Sequence, residues 1–319
     1  MKIVFMGTPH AAAVSLKRLI DDGHEIVAIY TQPDRPAGRG NKIAFSPVKE
    51  LSVSNNLPIL QPVKIKTPEA LETFRSHQAD VVVVVAYGRI LPEGFLNAYR
   101  YGALNVHFSL LPKYRGAAPV NWAIVNGESE TGVTIIQMDA GLDTGDVVLQ
   151  ESTAIGDEED AIQLMDRLAA LGADLISETL KNIDHLDRKP QNHNDATFAP
   201  ILKKEDGLID WSTTAVEVER RVRGFQPFPT SYTFHYGARF TIWKAAPSNE
   251  GVDGILQPGT VIEAAGSRLF VQCGGNSALV IEEIQPEGKR RMPVRDFLNG
   301  AKLKPGDVLG LKEQPITAR

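Results

Sequence analysis

"LNVHFSLLPKYRGAAPVNWAI", residues 104–124, begins as a strand and ends as a helix. Its first residues read as a buried strand, and "APVNWAI" repeats apolar residues at helical spacing. Between the two lie Asn105, His107, Pro112 and an arginine beside a glycine, Arg115 and Gly116. On a strand, residues i and i+2 point to the same face. Asn105 and His107 therefore share one face near the strand's carboxyl end. A buried polar pair left unsatisfied costs on the order of a few kcal/mol. Either loop backbone bonds to the pair, or the strand stops being core there because a site begins.

Outward from this join, the first two hundred residues alternate strand and helix. "KIVFMG", "EIVAIYT", "ADVVVVVAYG", "ALNVHF" and "TGVTIIQM" read as strands. "AAAVSLKRLIDDG" is a helix that stops at Gly23, a left-handed cap. "SPVKELSVSNN" and "TPEALETFRSHQ" each open with a capping hydroxyl, Ser46 or Thr67, followed by proline at the first helical position. The valine run lacks alternation, as befits a strand buried on both faces of a parallel sheet. The predicted fold class is α/β, a doubly wound, mostly parallel, Rossmann-like sheet. A long helix over "DEEDAIQLMDRLAALGADLISETLKNI" closes the region. Residues 184–206, polar and broken by Pro190 and Pro200, read as a linker. Beyond it, a short helix "TAVEVERRVRGF" and several short strands with Gly and Pro turns predict a small β-barrel of the OB kind. The expected domains are 1–203, linker included, and 204–319.

Composition excludes several classes. At 319 residues and 43% hydrophobic, the chain can build two ordinary cores. One cysteine, Cys273, permits no intramolecular disulfide and fits a reducing compartment. "MKIVFMG" starts as a strand without a signal-peptide pattern, and no apolar run reaches the roughly 18 residues of a membrane span. The expectation is a cytoplasmic enzyme or binding protein with no membrane association. The net charge of −5 is unevenly held, the first two hundred residues being acidic on balance and the rest slightly basic. Basic clusters stand at Lys203–Lys204, at Arg220, Arg221 and Arg223, and at Lys289, Arg290 and Arg291. By charge alone these are ordinary solvated surface or phosphate contacts.

Motifs narrow the chemistry further. "GTPHAA" at 7–12 occupies the place of a dinucleotide loop but lacks its glycines. There is no P-loop, no H-E-x-x-H and no C-x-x-C, so no motif supports a metal. No G-x-S-x-G surrounds Ser109, which weighs against a serine hydrolase. The glycine-flanked acidic turn "MDAGLDTGDVV" (138–148) contains Asp143. A carboxylate there, in a loop beyond a parallel strand, would approach His107, orient it and raise its pKa. Asn, His and Asp together suit a reaction that builds an oxyanion: Asn donates to the oxygen, His moves a proton, Asp holds His.

These residues carry a resemblance. "NVHFSLLPKYRGAAPVNWAI", "MDAGLDTGD", "VVVVVAYGRILP" and "TQPDRPAGRG" resemble the methionyl-tRNA formyltransferase family along the whole chain. The family more often has a small residue where Phe108 stands. The resemblance implies transfer of a formyl group from 10-formyltetrahydrofolate to the α-amine of methionyl initiator tRNA, without a metal. It implies Asn105, His107 and Asp143 as the catalytic trio. Ser109, Leu110, Leu111 and Pro112 would line the folate site, with Ile90 and Leu91 in an apolar slot for the pterin. Arg39 and Lys42, in the basic segment 33–47, would contact tRNA, Arg39 at its acceptor end. The basic clusters of the C-terminal domain would grip its backbone, and the family implies a monomer. Two readings compete. A formyltransferase acting on glycinamide ribonucleotide or an amino sugar nucleotide leaves the last 115 or so residues unexplained. A catalytically silent RNA-binding protein has no need of all three polar residues.

Overall fold

The five valines Val81–Val85 are all buried, and strands pair with them on both sides. This is the centre of the first of two compact units in a computed structural model that describes residues 1–37, 42–248, 250 and 256–310. In chain order the elements are β1 (Lys2–Gly7), α1 (His10–Asp21), β2 (Glu25–Tyr30), β3 (Arg35–Ala37), β4 (Lys42–Ala44) and α2 (Pro47–Ser54). Then come β5 (Ile59–Leu60), α3 (Pro68–Ser76), β6 (Val81–Val85), α4 (Glu93–Leu96), β7 (Ala103–His107) and β8 (Arg115–Gly116). They are followed by α5 (Pro119–Val125), β9 (Glu130–Gln137), β10 (Val147–Ala154), α6 (Ala161–Lys181) and β11 (Phe198–Ala199). The first unit comprises residues 1–119, 130–154 and 163–199.

Its main sheet has the order β10-β9-β7-β6-β1-β2-β5. Five neighbouring strands, β5, β2, β1, β6 and β7, run parallel. Strand β9 is antiparallel to β7, and β10 to β9. The caps predicted from sequence are in place. Ser46 Oγ accepts from Lys49 N at 3.2 Å, and Thr67 Oγ1 from Ala70 N at 3.2 Å. Each is worth about 1 kcal/mol to its helix. Gly23 takes φ 78°, the left-handed conformation that ends α1.

The segment read as a linker within the first domain carries short pairings of its own in this unit. Lys189 exchanges two backbone bonds of 2.8 Å with Val147. A 3₁₀ turn spans His193–Asp195, and β11 pairs in parallel with β8. Pairing only two residues long leaves no periodicity for a sequence reading to find.

The second unit comprises residues 120–129, 155–162 and the chain from Pro200. It holds α7 (Ala215–Gly224), β12 (Ser231–His235), β13 (Ala238–Pro247), β14 (Val261–Ala265), β15 (Arg268–Gln272), β16 (Ala278–Pro286), β17 (Met292–Pro293) and α8 (Val294–Leu298). The strands form an antiparallel sheet in the order β12-β13-β16-β15-β14, with β17 beside β16. That order is compatible with the expected OB-like barrel. Ala215, Val218 and Val222 of α7 share a core with Ile242, Leu269, Leu279, Ile281 and Ile284 of the sheet. Thr214 and Glu217 cap α7 reciprocally, as a capping box.

Candidate active site

Strand β7 ends at His107 because its last residues turn from packing to polar bonding. His107 is buried and Asn105, two residues back on the same face, is half-buried. His107 Nε2 lies 3.0 Å from the backbone oxygen of Tyr114. A carbonyl only accepts, so Nε2 carries the proton and the neutral ring keeps its lone pair on Nδ1. Tyr114 holds that carbonyl with a left-handed φ of 60°, a conformation few non-glycine residues adopt.

Asp143 reaches Nδ1 from an unexpected direction. The sequence pattern places its loop beyond a parallel strand. Strand β9 instead runs antiparallel to β7, with Gln137 opposite Leu104. The hairpin 138–146 therefore leaves beside the start of β7 and folds back about three residues, roughly 10 Å, to reach His107. Asp143 sits there at φ 52°. Its Oδ2 accepts from Gly116 N at 2.8 Å and lies 3.7 Å from His107 Nδ1. Gly145 permits the fold-back, since a Cβ on it would fall 1.8 Å from the Gln137 oxygen.

The expected rise in the His107 pKa is not found. Burial pushes the imidazole below its ordinary value, and the opposing pull of Asp143 and of the Tyr114 carbonyl does not overcome it. The charged form has lost its water on every side and regained one carboxylate, beyond hydrogen-bond reach.

The loop 109–112 is braced from within. Ser109 Oγ donates to the Lys113 oxygen at 2.6 Å. Thr134 Oγ1 donates to the Ser109 oxygen at 2.6 Å and accepts from Leu111 N at 3.1 Å. Gln150 Nε2 donates to the Leu111 oxygen at 3.0 Å. Ser109 and Leu111 are buried, while Leu110 and Pro112 are half-buried. On the loop after β6, Leu91 is buried and Ile90 is 71% exposed. Strand β6 ends beside Asn105, so this loop leaves at the His107 end of the sheet. A separate cavity of about 380 Å³ opens at the ends of β1 and β2, lined by Thr8, Gln32, Asp34, Phe45, Ser46 and Gly88. Its polar groups pair with one another or with neighbours: Thr8 Oγ1 accepts from Gln32 N, and Asp34 binds Lys49 and Gln61.

Sequence reasoning misses the residues that brace the loop 109–112 and the hairpin of Asp143. Thr134 and Gln150 sit among strand residues with nothing to mark them. Arg115 is buried and donates to the Gln191 side-chain oxygen from Nη2 at 2.7 Å and from Nε at 3.2 Å. Its position beside Gly116 is the only signal it offers. Gln191 offers none, being one polar residue in an apparent linker.

The basic residues differ in what their side chains already touch. Arg39 lies outside the described residues, and Lys42 begins β4. Arg221 donates to the Asp206 oxygen at 2.6 Å and stacks over Phe225. Arg223 pairs with Glu219 and donates to the Glu159 oxygen at 2.8 Å. Arg220 is half-buried. Arg291 pairs with Glu283, while Lys289 and Arg290 are exposed. Among the described residues no cluster of His, Cys, Asp and Glu forms a metal site, and no helix is long and apolar enough to cross a membrane.

The chain has clear relatives. A family model described as "Formyl transferase" matches residues 1–180, and one described as "Formyl transferase, C-terminal domain" matches 201–302. The class of the protein is therefore that of the formyl transferases. A methionyl-tRNA formyltransferase of Geobacter sulfurreducens is 46% identical over 97% of this chain and 97% of its own length. One of Caldanaerobacter subterraneus subsp. tengcongensis is 49% identical over 97% of this chain and its full length. The chain belongs to the methionyl-tRNA formyltransferase family. Among solved structures, the sugar 3N-formyl transferase WlaRD, in the presence of dTDP and 5-N-formyl-THF, superposes with a TM-score of 0.67 at 18% identity, covering 91% of this chain and 99% of that one. HypX from Aquifex aeolicus in complex with tetrahydrofolic acid gives 0.63 at 17% identity, covering 93% of this chain and 47% of that one. At such identities the likeness is one of fold.

Proposed function

We propose that this chain transfers the formyl group of 10-formyltetrahydrofolate to the α-amine of methionyl initiator tRNA, acting as a cytoplasmic monomer. The observation that carries the reading is the set of Asn105, His107 and Asp143 at one end of the sheet, with the proton of His107 on Nε2. The folate supplies an activated formyl carbonyl. Asn105 donates a hydrogen bond to the formyl oxygen as negative charge develops on it. His107 is neutral at pH 7 because burial lowers its pKa, so its Nδ1 takes the proton that the attacking amine loses. The resulting imidazolium is held by the Tyr114 carbonyl on one side and the Asp143 carboxylate on the other. It returns that proton to N10 as the bond from the formyl carbon to N10 breaks, the oxyanion collapses to the new amide and tetrahydrofolate leaves.

The loops fit a flat, partly apolar co-substrate. Ile90 and Leu142 are large apolar side chains left 71% and 57% exposed on the two loops that arrive beside β7. Exposed apolar residues on otherwise ordered loops are what a ring system would cover. Arg39 and the exposed Lys289 and Arg290 supply cationic contacts for the tRNA backbone in this reading.

One experiment separates the acceptors. The protein is incubated with 10-formyltetrahydrofolate and either methionyl initiator tRNA or glycinamide ribonucleotide. Formylation of the tRNA alone is expected. Formylation of the small amine, with the tRNA untouched, overturns the reading.

A further inference from the structure

We propose that Gln191, backed by Arg115, is a positioning residue that holds the hairpin carrying Asp143 at its working distance from His107. The inference rests on the roles given above to His107 and Asp143. Gln191 is buried, and its Nε2 donates to two carbonyls of the hairpin, those of Asp143 at 2.8 Å and Gly145 at 2.7 Å. Its oxygen accepts both guanidinium bonds from Arg115. The orientation of this amide is chemically forced: a guanidinium only donates and carbonyls only accept, so the NH₂ must face the hairpin. Arg115 Nη2 also lies 3.0 Å from His193 Nδ1, which must accept.

Three short connections therefore meet on one side chain. Arg115 sits in β8, just after the loop that holds Tyr114. The Gly116 amide beside it donates to Asp143 Oδ2. Gln191 belongs to the strap 189–199, tied at one end to Val147, where the hairpin returns, and at the other to β8 through β11. The hairpin must fold back over the sheet with Asp143 at a positive φ, a conformation that persists only where surroundings over-determine it. The two Gln191 bonds, on either side of Thr144, supply that constraint. Asp143 is the charged group that faces His107. Arg115 and His193 stand behind Gln191.

Gln191→Glu is the discriminating variant. Glutamate still accepts from Arg115, yet presents a carboxylate with no donor to two carbonyl oxygens, so it repels the hairpin while keeping the hydrogen bonds from the guanidinium. A displacement near 1 Å can cost as much as about a hundredfold in rate. The expected result is a fall in kcat of about tenfold or more, with the folate KM within about twofold. In an NMR titration of the free protein, the His107 pKa should fall further as the Asp143 carboxylate recedes. Gln191→Asn, which keeps the donors on a shorter arm, should recover part of the rate. The titration needs no substrate, so it reads the hairpin even if the acceptor assigned above proves wrong. Wild-type kcat with an unchanged His107 titration overturns the proposal. So does a rate loss accompanied only by lower Tm, with the His107 titration unmoved.

Discussion

The backbone oxygen of Tyr114 fixes the tautomer of His107, 3.0 Å from its Nε2, and so leaves Nδ1 as the unprotonated nitrogen of the neutral ring. Asp143, 3.7 Å from that nitrogen, is placed to stabilise the ring once charged. His107→Ala and Asn105→Ala should each lower turnover about a hundredfold or more. Asp143→Asn keeps the acceptor for Gly116 N but removes the charge, and should also cut kcat. Asn105 is only half-buried, so its alanine variant should shift Tm by no more than about 4 °C. Single-turnover rates with both substrates check this. Near-normal rates in the Asn105 and His107 variants would remove the trio from the mechanism.

Acid should destabilise the first unit for a stated reason. Burial lowers the pKa of His107, of His24 and of His77. Unfolding returns each to its ordinary value of 6.5. As pH falls below that value, the unfolded chain binds protons that the native state refuses, so stability declines. Tm should therefore drop between pH 7.5 and 5.5, and His107→Gln should flatten part of the slope. Thermal melts across this range test it. A Tm that holds or rises on acidification contradicts it.

The parallel sheet is legible because valine runs, capping hydroxyls and glycine stops are local signals that read the same in any context. The Asn–His pair is legible because a period of two places both on one face. Other features depend on chain reversal. The direction of β9 has no local signature, so the sequence brings Asp143 to His107 by the wrong route, straight off a parallel strand instead of by a fold-back from an antiparallel one. The pKa of His107 is misjudged from sequence because burial, which no motif encodes, outweighs one carboxylate. Gln191 stays hidden because its role is set entirely by carbonyls some 46–48 positions away.

The two apolar residues expected at the folate site should behave differently. Leu91 is buried, and Leu91→Ala should cost about 2–5 kcal/mol of stability. Ile90 is 71% exposed and contributes little to the core. Ile90→Ala should raise the folate KM several-fold while Tm and the tRNA KM stay unchanged. Equilibrium titration with folate, read by tryptophan fluorescence, checks the affinity directly. Undiminished affinity in Ile90→Ala would place the ring system elsewhere.

The basic clusters of the second unit divide by what their side chains already touch. Arg221 is turned inward: it donates to the Asp206 oxygen, and burial lowers its pKa from the usual guanidinium value. Arg223 is committed to Glu219 and the Glu159 carbonyl, and Arg291 to Glu283 with its plane over Trp243. Lys289 and Arg290 are exposed. A cation already desolvated against a carbonyl or paired with a carboxylate has little left for a phosphate, whereas an exposed one releases counterions in full. Removing one cation that neutralises a phosphate lowers the slope of log affinity against log salt by roughly one. Lys289→Ala with Arg290→Ala should therefore reduce the slope by about two, with Tm unchanged. Arg221→Ala should instead lower Tm and leave the slope within experimental scatter. Binding of methionyl initiator tRNA between 50 and 200 mM salt, roughly the range over which such interactions are resolved, gives both slopes. If the slope falls in Arg221→Ala and is unaffected in the Lys289, Arg290 double variant, the tRNA grip belongs to helix α7 rather than to the turn after β16.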